Sequence, residues 1–487
     1  MKKATTLLAG FLVLSFGTAW GQTTGGDAAM ETIPHTLQGV GSNVPSTSSG
    51  MNKARQQSTG PQAPLMGGQT FGPGGEGHAH SFLLPSFQYS GYADTNPAYS
   101  TGPSTVRTVS TVVGSLTLQR VWKRALLGLD YAGGGFFYGG KPRGSSKQSG
   151  FPASGTFHKL EFNQIFNWRR WTLGFGDSAL YTPASSFGFG GFGGLESFGS
   201  GFGGSYLAAT GLANPLTNPG QSILTARARR ISNSSLLQIQ FNPSERSSVT
   251  ATGSFGTLQF LDPGFSNSNF WTFLGSYDHA LSRRDNLGVG YAQQWLHFPG
   301  TNLEILDRGP RFFYGHRLTS KLVLKLSGGP TVDTVSGLAE RNITWIFFST
   351  YDSLEYRFRK GHLKLSFLRA MTPGSGVLLG SQTNWAEVTF ARKIGRSYSG
   401  SLHLGRSDNR PLLEGVLTRQ PAEYEAWEGG ASMNRKFGRH TSIYLNYSMQ
   451  RQNSNDPLCF SDSCGNRIVR HVVGIGITWQ GGPLKFD

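Results

Sequence analysis

From about residue 85 to the C-terminus, apolar and polar side chains alternate with a period of two, the spacing a β-strand imposes when one of its faces is apolar. In SIYLNYSMQ, Ile443, Leu445, Tyr447 and Met449 share one face, and Ser442, Asn446, Ser448 and Gln450 share the other. RIVRHVVGIGITW sets Val473, Ile475, Ile477 and Trp479 against Arg470, Gly474, Gly476 and Thr478. LVLKLSG sets Leu322, Leu324 and Leu326 against Val323, Lys325 and Ser327, and SLHLG sets Leu402 and Leu404 against Ser401, His403 and Gly405. One face of each strand suits hydrocarbon and the other tolerates water.

The connections carry the next constraint. Short links fall at 122–125, 167–171, 242–246, 282–286, 318–321, 359–361, 394–397 and 437–440. Between successive short links lie two strands with a longer join, such as KPRGSSKQSGFPAS, SDNRPLLEGVLTRQPAE and the longest, 182–229. Alternation of short and long connections is the mark of an up-and-down antiparallel barrel in an outer membrane, with short turns on the periplasmic side and long loops outside. Sixteen strands flank these eight links; SFQYSGY (86–92) precedes them and RIVRHVVGIGITW follows. The fold class is therefore all-β, a transmembrane barrel of about 18 strands with both chain ends on the periplasmic side; the alternative count is 16. A β-solenoid lacks support because no repeat of fixed period is present.

The N-terminus sets the compartment. Lys2 and Lys3, an apolar run from Leu7 to Phe16 and small residues at Ala19 and Gly21 form a secretory signal peptide over 1–21, with the mature chain starting at Gln22. The run is shorter than the roughly 18 residues a membrane anchor requires. No later run is long enough for a transmembrane helix, and a mean hydropathy of −0.27 suits a barrel whose lumen-facing residues dilute its lipid-facing ones. Residues 22–80, rich in Ser, Thr, Gly, Gln and Pro, read as a flexible leader. It is too short for the plug of a TonB-dependent transporter, and its His78 and His80 make at most half a metal site. The barrel domain is assigned to 81–487.

These features resemble the general outer-membrane porin and β-barrel class, with VVGIGITW as the C-terminal strand and Trp479 or Phe486 as the terminal aromatic residue. The resemblance implies a location in the outer membrane, contact with its lipid, insertion by the barrel-assembly machinery and a conduit function for small solutes or a polymer. It leaves the substrate open, along with exopolysaccharide export, a structural or adhesive surface role and a barrel enzyme.

Candidate pore-lining residues are Asp130, Lys159, Glu161, Lys325, Lys364, His403 and Arg470, all on polar strand faces, an inventory that mildly favours anions. Without Lys2 and Lys3, 42 Lys and Arg remain against 27 Asp and Glu, with much of the excess in the short links. Such a balance suggests nucleic acid in a soluble protein, but in a barrel basic turns meet anionic lipid, and no nucleic-acid partner is expected. Cys459 and Cys464 are spaced for a local disulfide in an oxidising compartment.

The segment FGFGGFGGLESFGSGFGGSY (187–206) joins Phe187, Phe189, Phe192, Phe198 and Phe202 with glycines that permit tight paths. It folds into the lumen as a constriction, packs as a lid, forms an exposed adhesive or disordered surface, or is a flexible loop with no special role. Signals for catalysis are weak. Gly176-Asp177-Ser178 resembles the start of an esterase motif, but Asp177 and Ser178 point to opposite faces of a strand. Glu414, Glu423, Glu425 and Glu428 are a candidate cation or acid–base cluster that reads equally as solvated surface. No cofactor motif is present and no enzymatic activity is expected.

Overall fold

The computed structural model describes residues 81–96, 106–139, 154–182, 223, 228–337, 342–412, 423–455 and 467–486. The signal peptide, the leader with its histidines, Glu414, the five phenylalanines of 187–206, and Cys459 with Cys464 lie outside the described residues.

The chain forms β1 (Ser81–Asp94), β2 (Arg107–Val121), β3 (Ala125–Tyr138), β4 (Ser154–Asn167), β5 (Trp171–Thr182), β6 (Arg230–Ser244), β7 (Ser247–Phe260), β8 (Ser268–Ala280) and β9 (Asp285–His297). It continues with β10 (Glu304–Arg317), β11 (Leu322–Ser336), β12 (Ile343–Phe358), β13 (Gly361–Thr372), β14 (Ser381–Ile394), β15 (Tyr398–Pro411), β16 (Tyr424–Phe437), β17 (Thr441–Ser454) and β18 (Arg467–Gln480). Each strand pairs antiparallel with its sequence neighbours, and β1 pairs with both β2 and β18, so the sheet closes as an 18-stranded barrel. After a bend at 481–483, β19 (Leu484–Phe486) resumes the pairing of β18 along β1, with Ser81 opposite Phe486. Trp479 and Phe486 thus lie on one continuous seam. The SDNRP portion of one expected join is strand, because β15 runs on to Pro411.

Strands of 12 to 16 residues exceed the roughly 9–11 needed to cross a bilayer. Their outward faces carry Leu237, Val289, Leu404, Leu445 and Ile475, exposed around the waist of the barrel. Toward the short-turn rim this band meets Trp122, Trp168, Trp171, Phe437 and Trp479; toward the other rim it meets Phe137, Trp271, Trp295 and Phe348. An apolar belt between two aromatic girdles is the surface a membrane requires.

All eight short turns lie on one rim with both ends of the barrel chain. The last residue of each turn accepts a backbone hydrogen bond from the following strand pair, as Arg124 does from Asn167 and Lys321 from Arg357; all eight bonds measure 2.7–2.9 Å. The rim is therefore a stitched ring.

Candidate functional site

The inward faces of the strands line the lumen, and alternation sets which side chains reach it. Asp130, Lys159, Glu161, Lys325, Lys364, His403 and Arg470 all lie on these faces, in three separate groups.

The first group joins β3 and β4. Asp130 stands opposite Glu161 and accepts a 2.6 Å bond from Thr117, while Lys159 pairs with Glu161 at 2.8 Å. The second is the closing seam. Arg470 on β18 holds Asp94 on β1 through Nε (3.1 Å) and Nη2 (2.7 Å), and its Nη1 donates to Gln450 (3.3 Å). Both members are buried, with side chains 3% and 1% exposed, so this is a fully desolvated bidentate pair.

The third group is a band of mixed charge across β11 to β16. Register places Glu355 opposite Lys364, with Ser353 opposite Lys325. Lys364 lies within electrostatic reach of Glu355, Glu387 and Tyr351, and Glu428 lies within reach of Glu387. Gly405 is the register partner of both Glu387 and Glu428, and a Cβ there would lie 3.0 Å from Glu428 Oε1. A Cβ at Gly430 would lie 2.3 Å from the His403 ring. Both glycines let a long polar side chain lie flat on the wall. Glu428 Oε2 is buried with no hydrogen-bond partner.

Sequence reasoning missed Asp94, Glu355 and Glu387, although the same alternation marks all three as inward. It also missed a further group in which Asp307 faces Asp333 across β10 and β11 beside Arg311. Arg311 donates to the Gly329 and Ser349 carbonyls, and both Asp333 oxygens are buried without a hydrogen bond.

Two of the three described glutamates of the candidate cluster take separate partners. Glu423 pairs with Arg410 (3.1 Å), Glu425 with Arg406 (3.0 Å), and Glu428 turns into the lumen. The alternation of β5 turns Ser178 inward, whereas Asp177 faces outward and accepts hydrogen bonds from Asn233 and Ser235. That places the esterase-like pair on opposite sides of the wall, as expected.

At the long-join rim, the β13–β14 connection Pro373–Gly380 bends across the mouth. Its Gly376 carbonyl accepts a 2.9 Å bond from Ser266 in the β7–β8 join, and a Cβ at Gly376 would strike the Phe260 ring of β7 at 2.2 Å. Its Ser375 Oγ accepts from the Ile223 amide (3.3 Å), and its Leu378 packs with Ile223 and Tyr424 of β16. Five strands separate β7 from β13 around the wall, so the connection spans a chord of the opening. Its path needs left-handed backbone at Gly374, Ser375 and Gly376 (φ 75°, 56° and 79°), and Ser375 is the one non-glycine with positive φ among the described residues. A non-glycine residue held there stores strain that the surrounding contacts must offset.

A closed barrel with a lipid-compatible belt, a polar lumen and a bridged mouth defines an outer-membrane barrel of the porin-like class. No family model matches the chain and no curated protein matches its sequence. Solved structures similar to it include Pseudomonas aeruginosa OccK2 (OpdF), 7% identical, covering 82% of this chain and 98% of that one with a TM-score of 0.40. Another is a BenF-like porin from Pseudomonas fluorescens Pf-5, 10% identical, covering 84% and 98% with a TM-score of 0.39. A third is Acinetobacter baumannii OccAB3, 10% identical, covering 84% and 100% with a TM-score of 0.41.

Proposed function

We propose that the protein is a passive, solute-selective conduit through the outer membrane, with its short turns toward the periplasm, and that it is not a catalyst. The observation that carries this reading is the lumen wall: an inward band in which Lys325, Glu355, Lys364 and Glu387 alternate in charge across β11 to β14, with Glu428 beyond Gly405 of β15. A barrel of this size is wide enough to hold water, and charged rings on its wall select among solutes by field and size. The carboxylates of Glu355, Glu387 and Glu428 stand among the cations, which supports a preference for small polar or zwitterionic solutes in place of the mild anion preference expected from the sequence. The Pro373–Gly380 bridge sets the width of the entrance. Insertion by the barrel-assembly machinery follows from the same reading.

The test is single-channel recording in planar bilayers. Discrete conductance steps are expected, enlarged when residues 374–379 are deleted from a barrel that still migrates as folded on unheated gels. A folded barrel without conductance overturns the conduit and favours an anchoring or adhesive role. Cysteines placed at Arg169 or Lys360 should resist an impermeant label on intact cells, and cysteines at Ser145 or Asn218 should accept it; the reverse pattern inverts the orientation.

A further inference from the structure

The two rims differ in charge as well as in length of chain. The eight short turns read WKR (122–124), WRR (168–170), ER (245–246), LSRR (281–284), LTSK (318–321), RK (359–360), GRS (395–397) and GRH (438–440): twelve Lys and Arg against one Glu, with at least one cation in every turn. The nine long joins together hold seven Lys and Arg and seven Asp and Glu. All residues of the short turns are exposed, and none of the twelve cations makes an ion pair among the described residues. Among the described residues this charge is not balanced by ion pairs.

Its placement narrows the partner. The stitched backbone ring holds the cations at one level around the whole circumference, immediately outside the girdle of Trp122, Trp168, Trp171 and Phe437. Two further cations at the ends of the strands, Arg120 and Arg435, lie over the Trp122 (5.0 Å) and Phe437 (4.5 Å) rings, so positive charge continues from the turns into the aromatic layer. A folded soluble partner docks on one side of a rim and needs a one-sided patch. A closed ring at the depth of the interfacial aromatics faces what surrounds a barrel on every side, the headgroups of the adjoining leaflet.

We infer that the short-turn rim is a binding surface for anionic phospholipid headgroups, a cationic collar that recruits an annulus of phosphatidylglycerol-like lipid to one leaflet. Each collar cation attracts anionic headgroups within a Debye length, and the layout rewards many lipids weakly instead of one tightly. The inference is independent of whether the lumen conducts.

The test uses the full mature chain refolded into phosphatidylcholine vesicles containing phosphatidylglycerol, with one lipid or the other brominated on its acyl chains. Quenching of the girdle tryptophans reports which lipid occupies the annulus. Phosphatidylglycerol should be preferred severalfold at about 0.01 M salt, and the preference should collapse at about 1 M, where the Debye length falls to about 3 Å. Replacing Arg169, Arg170, Arg283, Arg284, Arg359 and Lys360 by Gln together should remove most of it. Replacing Lys141, Arg143 and Lys147 of a long join by Gln should leave it in place. If the sixfold variant does not refold, the salt series on the unaltered protein decides. Equal quenching by both lipids at low salt, or an undiminished preference in a folded sixfold variant, overturns the inference. So does saturable binding of polyglutamate by a protein with no lipid preference, which would assign the collar to a soluble acidic partner.

Discussion

Two buried charged regions of the lumen wall are built to opposite rules. At the seam, Arg470 and Asp94 satisfy one another with two geometrically matched bonds, and Gln450 Oε1 accepts a further hydrogen bond from the guanidinium. In the band, Glu387 and Glu428 face each other across Gly405, and Glu428 keeps an oxygen with no donor. A pair whose bonding is closed within the protein holds strands together and offers nothing to a solute. A carboxylate left short of donors costs stability and has capacity to spare. Asp94 and Glu428 are both buried carboxylates; completeness of the hydrogen bonding separates fastener from selector.

The strongest way to break that distinction is Asp94→Ala. It strands a buried guanidinium at the seam and should cost about 3–5 kcal/mol, read as a lowered denaturant midpoint in detergent. A loss below about 1 kcal/mol would remove the fastener role. Glu428→Gln should do the opposite: the barrel keeps or gains stability, by about 1 kcal/mol, while the reversal potential under a salt gradient moves toward anions. A stability loss as large as that of Asp94→Ala would show that the band is structural too. At the mouth, Ser375→Gly relieves the left-handed strain but leaves the Ile223 amide without its acceptor, so the two offset and the midpoint should move by less than about 1 kcal/mol, with conductance unchanged.

The smallest effect belongs to the exposed pair of Arg229 and Asp262 (2.7 Å) outside the membrane-spanning strands. The Arg229 hydrogen bond holds the Asp262 carboxyl below its ordinary value. A depressed carboxyl stabilises the fold above its unfolded pKa, and that contribution is lost as pH falls through the folded value, below the usual carboxylate range. Asp262→Asn should leave the midpoint at pH 7 within error, because solvent screens the pair, and should slightly flatten the acid limb of the stability profile.

The barrel was legible because alternation and turn rhythm are local: a nine-residue window such as SIYLNYSMQ already shows its two faces, and each short link sits in one stretch of chain. The lumen was legible in part. Lys325, Lys364 and His403 were readable as inward, but their partners sit on neighbouring strands whose alignment depends on register, which no single segment encodes. Asp94 escaped notice because it ends β1, and Arg470 looked like an open cation for want of a partner 376 positions away. The mouth was illegible for another reason. PGSGVLLG is short and uncharged and reads as a plain connection; only the left-handed run from Gly374 to Gly376 turns it across the opening. The long Phe-rich join drew attention by composition, and composition does not report where a chain goes.

The seam also bears on the order in which the molecule comes into being. Every strand pairing except those of β1 with β18 and β19 joins elements adjacent along the chain, so hairpins can form as soon as two consecutive strands are available. Only the pairing of β1 with β18 and β19 must wait for the end of the chain. Until then the sheet has two free edges, both open to another copy of the chain. Closure is thus a single late event over nearly the full chain length. Arg470 and Asp94 latch it, and the span that follows, bending and pairing again through Leu484–Phe486, zips the end against Ser81–Leu83. A chain truncated before β18 should accumulate as an open, self-associating sheet, while one lacking only β19 should still close.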